Sequence, residues 1–136
     1  MGEVNMLTKE YVAKVFLLLE QGDLDGYLER YVDENVKWTI TGTNVLAGTY
    51  HSRHEFVDRA IAALKKALQG DIKMRIHHIY VDGDTAIVEM QSIAQAQKGH
   101  AYDNQYVWIQ RFCQGKIVEA RVYYDDVLVN KTIDPI

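Results

Sequence analysis

The sequence has a single cysteine, Cys113, and a single proline, Pro135. One thiol closes no disulfide within the chain and assembles no thiolate metal cluster, which points to a reducing, cytoplasmic setting. With proline confined to the penultimate position and no Ser/Gly-rich or low-complexity tract, no linker or internal repeat divides the chain. Long apolar runs are missing too. The longest, Val15 to Leu19, is far short of a membrane span, and the N-terminus carries no basic segment followed by an apolar h-region, so neither membrane insertion nor export is expected. There is no excess of basic charge: the formal charge is -4, the pI is near 5.7, and no Lys/Arg cluster exceeds the pair Lys65-Lys66. A nucleic-acid partner is therefore not expected.

What the sequence does contain is enough apolar material for one core. At 136 residues and 48% hydrophobic content, residues 1-136 read as one domain with a single sizeable core. The first half reads as helices. Thr8 caps a helix whose Val12, Val15, Phe16 and Leu19 keep i, i+3, i+4, i+7 spacing, with Gly22 at its C-terminal end. Asp23 starts a short second helix to about Arg30, Val36 to Ile40 reads as a strand, and Thr41 to Gly48 as a loop. Ser52 and Glu55 form a capping box for a third helix that ends near Gln69-Gly70.

The second half reads as strands broken by glycine turns: Ile72 to Asp82, Thr85 to Ala96, His100 to Cys113 and Lys116 to Asp126. Helices first and an antiparallel meander after predict an α+β fold in which the helices cover one face of a strongly curved sheet. A pocket lies between the two layers. Turn length decides which side chains enter it, because a slip of one residue exchanges the faces of a strand. A three-residue loop Cys113-Gln114-Gly115 puts Asn104, Tyr106 and Trp108 beside Tyr124, Val122 and Ala120, whereas a two-residue loop puts Arg121, Tyr123 and Asp125 there. The longer loop is preferred because it sets the apolar residues inward. In the preceding hairpin, the alternation Ile72, Met74, Ile76 is expected to carry His78 inward, and a two-residue turn within Asp82-Gly83-Asp84 then brings Glu89 and Gln91 to the same side.

Several segments carry a resemblance to a known family: Gly22-Asp23-Leu24-Asp25-Gly26, Trp38, the loop Gly42 to Tyr50, Tyr102-Asp103-Asn104-Gln105-Tyr106, and the glycine-led run from Gly115 to Asp125. Together they resemble the SnoaL-like, ketosteroid-isomerase-related branch of the nuclear transport factor 2-like superfamily. The resemblance implies a cystatin-like cone, a sheet wrapped on three N-terminal helices around a central pocket, and a homodimer formed across the outer sheet face. It also implies a small-molecule ligand, and acid/base chemistry without a cofactor where the fold is an isomerase, cyclase or hydrolase. The catalytic side chains of the branch do not transfer. The positions corresponding to the ketosteroid isomerase Tyr, base and second oxyanion donor are Val15, Thr39 and Trp108. Those corresponding to the Arg and two Asp of limonene epoxide hydrolases are Glu89, Gln91 and Val122. The fold hosts many chemistries, so function rests on the site itself.

Two site readings follow. Glu89, between Val88 and Met90, is the candidate pocket acid, with His78 as its partner across the hairpin; the adjacent His77 leaves the choice of ring open. Trp38, Tyr50, Gln91, Asn104, Tyr106, Trp108 and Tyr124 form the candidate ligand wall, since ring faces pack a flat organic compound and an amide and phenol orient it. Arg121 and Asp125 read as a structural ion pair on one strand face. Of the five histidines, His51 and His54 begin a helix, but no second ligand cluster is visible, and neither a metal nor a cofactor is expected. Two functional classes stay open: an acid/base enzyme acting on a hydrophobic carbonyl or polyketide-like compound, and a non-catalytic binding or dimeric interaction module.

Overall fold

The computed structural model describes residues 6–134; the first five residues and Pro135 and Ile136 lie outside them. Local chemistry sets the helix starts. Thr8 accepts a hydrogen bond from the Tyr11 amide and opens α1 (Lys9–Glu20), whose Val12, Val15, Phe16 and Leu19 are buried. Asp23 accepts from the Gly26 amide at 2.9 Å and opens α2 (Leu24–Tyr31). Chain then runs directly into β1 (Val32–Ile40), which begins four residues before the expected start, and the short β2 (Gly48–Tyr50) pairs back onto it.

Ser52 accepts from the Glu55 amide at 3.0 Å, while the Glu55 carboxylate reaches the His51 amide at 2.8 Å, so the capping box closes on the residue before the cap. The helix it starts is not uniform. α3 (Arg53–Phe56) passes into a π turn (Val57–Ile61) and then α4 (Ala62–Ala67). The wider turn rotates the apolar stripe, which keeps Phe56, Ala60, Ile61 and Leu64 all turned to the interior.

β3 (Leu68–Asp82), β4 (Thr85–Ala96), β5 (Gln105–Cys113) and β6 (Lys116–Tyr123) follow as an antiparallel meander. The full order is β2-β1-β6-β5-β4-β3 in one open, curved sheet. One pairing departs from the antiparallel expectation: β1 lies parallel to β6, joining the two ends of the chain. The final strand is also shorter than expected. It stops at Tyr123, and Asp125 accepts from the Val127 and Leu128 amides to cap α5 (Asp126–Thr132), so Asp125 is a helix cap rather than the ion-pair partner of Arg121. No helix among the described residues is long and apolar enough to cross a membrane.

Two bulges decide which residues face inward. In the β5–β6 hairpin the loop is the two-residue Gln114-Gly115 turn, with Cys113 opposite Lys116 and both turn residues at positive φ (51° and 81°). That turn alone would turn Arg121 and Tyr123 into the core. An extra residue, Val118, intervenes between the Phe112–Ile117 and Arg111–Glu119 pairs and restores the face, so Ala120 and Val122 are buried and Arg121 and Tyr123 exposed.

In the β3–β4 hairpin the bulge acts in the other direction. Ile76 pairs with Met90 but His78 pairs with Glu89, leaving His77 as the extra residue. Beyond it Ile79 and Val81 take the inner positions opposite Val88 and Ala86. The expectation that His78 and Glu89 enter the pocket is thereby corrected: they are cross-strand partners, but on the exposed convex face. Gln91 shares that face, half-buried, where its amide donates to the Asp103 carbonyl at 3.4 Å.

Candidate functional site

Between the helices and the concave face of the sheet lies a cavity of about 60 Å³. α2 supplies Leu24, Tyr27 and Leu28; β1 supplies Trp38 and Ile40; the π-turn helix supplies Phe56, Ala60, Ile61 and Leu64. Ile72 and Met74 of β3, Tyr106 and Trp108 of β5 and Val122 of β6 complete the wall, with Leu46, Tyr102 and Tyr124 from the loops. Four of the expected wall residues, Trp38, Tyr106, Trp108 and Tyr124, therefore meet here.

Their rings interlock. Trp38 stacks on Phe56 with centroids 4.4 Å apart and meets Trp108 edge-on at 5.3 Å. Trp108 in turn meets Tyr106 edge-on at 6.1 Å, and Tyr106 leans on Tyr124 at 5.7 Å. Such offset and T-shaped contacts fix the rings beyond what area burial does.

Two expected wall residues stand behind the cavity instead of in it. Tyr50 packs edge-on against Phe56 and its hydroxyl donates to the Leu46 carbonyl at 2.8 Å, which holds the loop down. Asn104, 1% exposed, accepts from the Asp125 amide at 2.9 Å and donates to the Asp125 carbonyl at 3.3 Å, tying β5 to the start of α5. Its amide also reaches the Tyr102 hydroxyl at 3.4 Å, so the side chain is held within the protein.

The residues missed are Tyr27, Leu46, Phe56 and Tyr102 among others. Tyr102 continues the alternation Trp108, Tyr106, Asn104 by one further step, and that parity was the available signal. Tyr27 lies one turn after Leu24 on the buried side of α2. Leu46 had no signal of its own, because its place depends on distant contacts of the loop.

Those contacts centre on Asn44. Its amide donates to Asp126 Oδ1 at 2.7 Å and to the Thr41 carbonyl at 3.0 Å, while its Oδ1 accepts from the Leu46 amide at 2.9 Å and the Tyr124 hydroxyl at 3.0 Å. Asp126 also accepts from the Thr43 amide, and Gly42, at φ 91°, leaves the space that the Asp126 carboxylate occupies. The loop over the cavity is thus clamped to α5.

Electrostatically the cavity is neutral. Among the described residues that line it there is no carboxylate, imidazole, lysine or arginine. Burial pushes the Tyr27 and Tyr124 hydroxyls far above the ordinary tyrosine range, and it raises Tyr106 and Tyr102 as well, with neighbouring phenols adding to the effect at Tyr106 and Tyr124. Each is a neutral hydrogen-bonding group at physiological pH. Glu89 and His78 stand on the far side of the sheet, where His78 stacks on Tyr80 at 4.4 Å and the Tyr80 hydroxyl donates to Glu89 at 3.4 Å. Nor do the described residues bring three His, Cys, Asp or Glu side chains together as a metal-holding group.

The profile of the SnoaL-like domain matches residues 12–120. The chain belongs to the SnoaL-like domain family. Solved structures agree on the fold. A protein described as NTF2-like from Burkholderia thailandensis is 22% identical, with 93% of this chain and 96% of that one covered and a TM-score of 0.76. A putative SnoaL-like polyketide cyclase from Jannaschia sp. CCS1 is 13% identical with 100% and 99% covered and a TM-score of 0.74. TerC, co-crystallized with polyporic acid, is 18% identical with 92% and 96% covered and a TM-score of 0.73. No curated protein matches the chain by sequence. This SnoaL-like domain shares their fold, and its own aromatic side chains occupy much of the space between its helices and its sheet.

Proposed function

We propose that this SnoaL-like domain is a small-molecule pocket protein that binds a neutral, flat, hydrophobic compound without ionised acid/base groups acting on it. The carrying observation is the chemistry of the cavity wall: aliphatic and aromatic surface, neutral phenols and indoles, and no charged side chain among the described residues that line it. An isomerase, cyclase or hydrolase of the expected type needs an acid or base within hydrogen-bond reach of its substrate. Glu89 and His78, the residues expected to serve, are exposed on the opposite face. The binding-module reading is therefore the one favoured.

Size sets a condition on binding. A void that takes a benzene-sized ring is on the order of 150 Å³, larger than the 60 Å³ present, so a ring enters only as side chains at the mouth give way. The test is a thermal-shift and calorimetric screen of aromatic ketones, quinones and polycyclic aromatics, with mass spectrometry of each ligand after incubation. Saturable binding with the ligand recovered unchanged supports the reading. Protein-dependent conversion of any compound would refute the non-catalytic assignment, and its loss in Glu89→Gln would assign the acid to that residue.

The same reading includes self-association through the convex sheet face. Tyr80, Ile93 and Tyr123 stand on that face 45%, 49% and 44% exposed. A two-fold contact through β3 to β6 would cover all three.

A further inference from the structure

The hydrogen-bonding groups of the cavity fall into two sets. Some are committed to the protein: the Tyr124 hydroxyl donates to Asn44, and behind the wall the Tyr50 hydroxyl donates to Leu46 and the Asn104 amide to Asp125. In the wall itself, the indole Nε1 atoms of Trp38 and Trp108 are buried and meet no acceptor among the described residues. Their side chains are 1% and 7% exposed, and both line the cavity. Buried N–H groups without a partner are rare in folded proteins because the lost hydration is not replaced. Here two stand together, their rings 5.3 Å apart, against a void.

We infer that the indoles of Trp38 and Trp108 are the specificity-determining donors of this cavity, and that they select a neutral ligand bearing a carbonyl oxygen on a flat ring system: an aromatic ketone, a quinone or a lactone. The inference rests on the small-molecule pocket reading and deepens it. The oxygen is recognised by the indoles, the buried lining groups left with no partner at all: the Tyr27 and Tyr102 hydroxyls are already held by Gln110 and Asn104, and Tyr124 donates to Asn44. A hydrocarbon of the same shape leaves the N–H groups unsatisfied. A carboxylate fares worse, since it would be desolvated with no cation among the lining residues. The void is of the size that about two waters fill, so the carbonyl edge of a ring reaches the indoles while the rest displaces mouth side chains such as half-buried Tyr124.

The experiment uses three matched probes on the full chain: 1-tetralone, tetralin and 1-naphthoate. Because the sequence holds two tryptophans, a ¹H–¹⁵N spectrum contains two indole cross-peaks, and Trp38→Phe and Trp108→Phe assign them. The expected result is that tetralone binds about tenfold more tightly than tetralin, the increment of one neutral hydrogen bond. It should move at least one indole proton downfield, while naphthoate fails to bind. In a folded Trp→Phe variant the preference for tetralone over tetralin should shrink toward unity. Equal affinity of tetralone and tetralin, or tetralone binding with both indole peaks unmoved, overturns the donor assignment while leaving the pocket reading intact. Binding by none of the three removes the pocket reading and this inference with it. The comparison of probes on the parent protein does not depend on the variants folding.

Discussion

Gln110 donates from Nε2 to the Tyr27 hydroxyl at 2.7 Å, an amide and a phenol that are both fully buried and lie 83 positions apart in the sequence. The bond locks α2 onto β5 beneath the cavity, and it explains how a glutamine survives on the inner face of a strand. The Gln110 Oε1 has no partner among the described residues, so the pair is only partly satisfied. Tyr27→Phe leaves the amide donor unpaired as well and should destabilise the fold by about 1–3 kcal/mol. Gln110→Met removes the orphaned Oε1 along with the donor but leaves the buried Tyr27 hydroxyl unpaired, and should cost a similar amount. In the double variant the two changes should be less than additive, because the second removes what the first left unpaired. Denaturant unfolding of the four proteins checks this, and strict additivity would show that the bond does not couple the two elements.

Asn44 serves the loop as Gln110 serves the core. Four hydrogen bonds converge on its side chain, two from its amide and two to its oxygen. Asn44→Ala should therefore release the segment from Thr41 to Ala47 from α5, lowering stability by about 2–3 kcal/mol and raising amide exchange in that segment above the rest of the sheet. Tyr124→Phe removes one of the four and leaves Asn44 Oδ1 with the Leu46 amide, so it should cost about 1 kcal/mol or less. If the two variants exchange alike, the clamp is not what holds the loop.

What could be read from the sequence divides along the range of the interactions. Thr8, Asp23 and Ser52 cap their helices through bonds to amides three residues on, and such caps are legible because donor and acceptor share a short segment. The face of β4 was not legible. Strict alternation from Ile72 through Ile76 predicts His78 on the inner face, whereas the chain inserts His77 as a bulge and turns Ile79 inward. That choice follows from fitting Ile79 and Val81 against Val88 and Ala86, a contact between strands and not within one. The β5–β6 hairpin shows the opposite outcome. Its turn is one residue shorter than expected, yet the bulge at Val118 supplies the missing residue, so Ala120 and Val122 face the core by a different route. The parallel β1–β6 pairing and α5 depend on bringing the two ends of the chain together, for which no local pattern exists.

The buried phenols make the fold sensitive to alkali. Burial raises the pKa of Tyr27, Tyr102, Tyr106 and Tyr124 above the ordinary value near 10, so the folded chain holds protons that the unfolded chain releases. The sign follows from linkage: their contribution is fully present below the unfolded value and is lost as pH rises through the folded ones. Stability should thus decline steadily above about pH 10. Ultraviolet titration of phenolate should show fewer than the nine tyrosines of the sequence ionising before the fold is lost. Reversible ionisation of all nine with the circular dichroism unchanged would contradict the burial of these rings.

The convex face gives a prediction that separates it from the cavity. Tyr123, the last residue of β6, lies opposite Val107 of β5, outward and 44% exposed, on the face proposed for self-association. Tyr123→Glu should lower the mass seen by sedimentation toward that of one chain, with melting changed little at protein concentrations where the parent is already dissociated. Glu89→Gln on the same face should leave ligand affinity within experimental error, since the sheet separates it from the cavity. A parent protein that sediments as one chain at all concentrations would rule the interface out.

The β5–β6 turn offers the most direct test of the register. Gln114 is the one residue other than glycine at positive φ among the described residues, and with Gly115 it forms a two-residue turn in which both central positions are left-handed. Side chains other than those of Asn, Asp and Gly pay for that conformation in backbone strain, and Asn-Gly is the preferred pair because its twist matches the flanking strands. Gln114→Asn should therefore stabilise the protein by about 0.5–1 kcal/mol without altering the contacts of the hairpin. A three-residue loop with glycine alone in the left-handed position would place Gln114 in an ordinary conformation, and the substitution would then gain nothing. Chemical unfolding of this one variant thus decides between the two turns, and only the shorter turn needs the bulge at Val118 to bring Ala120 and Val122 to the cavity side.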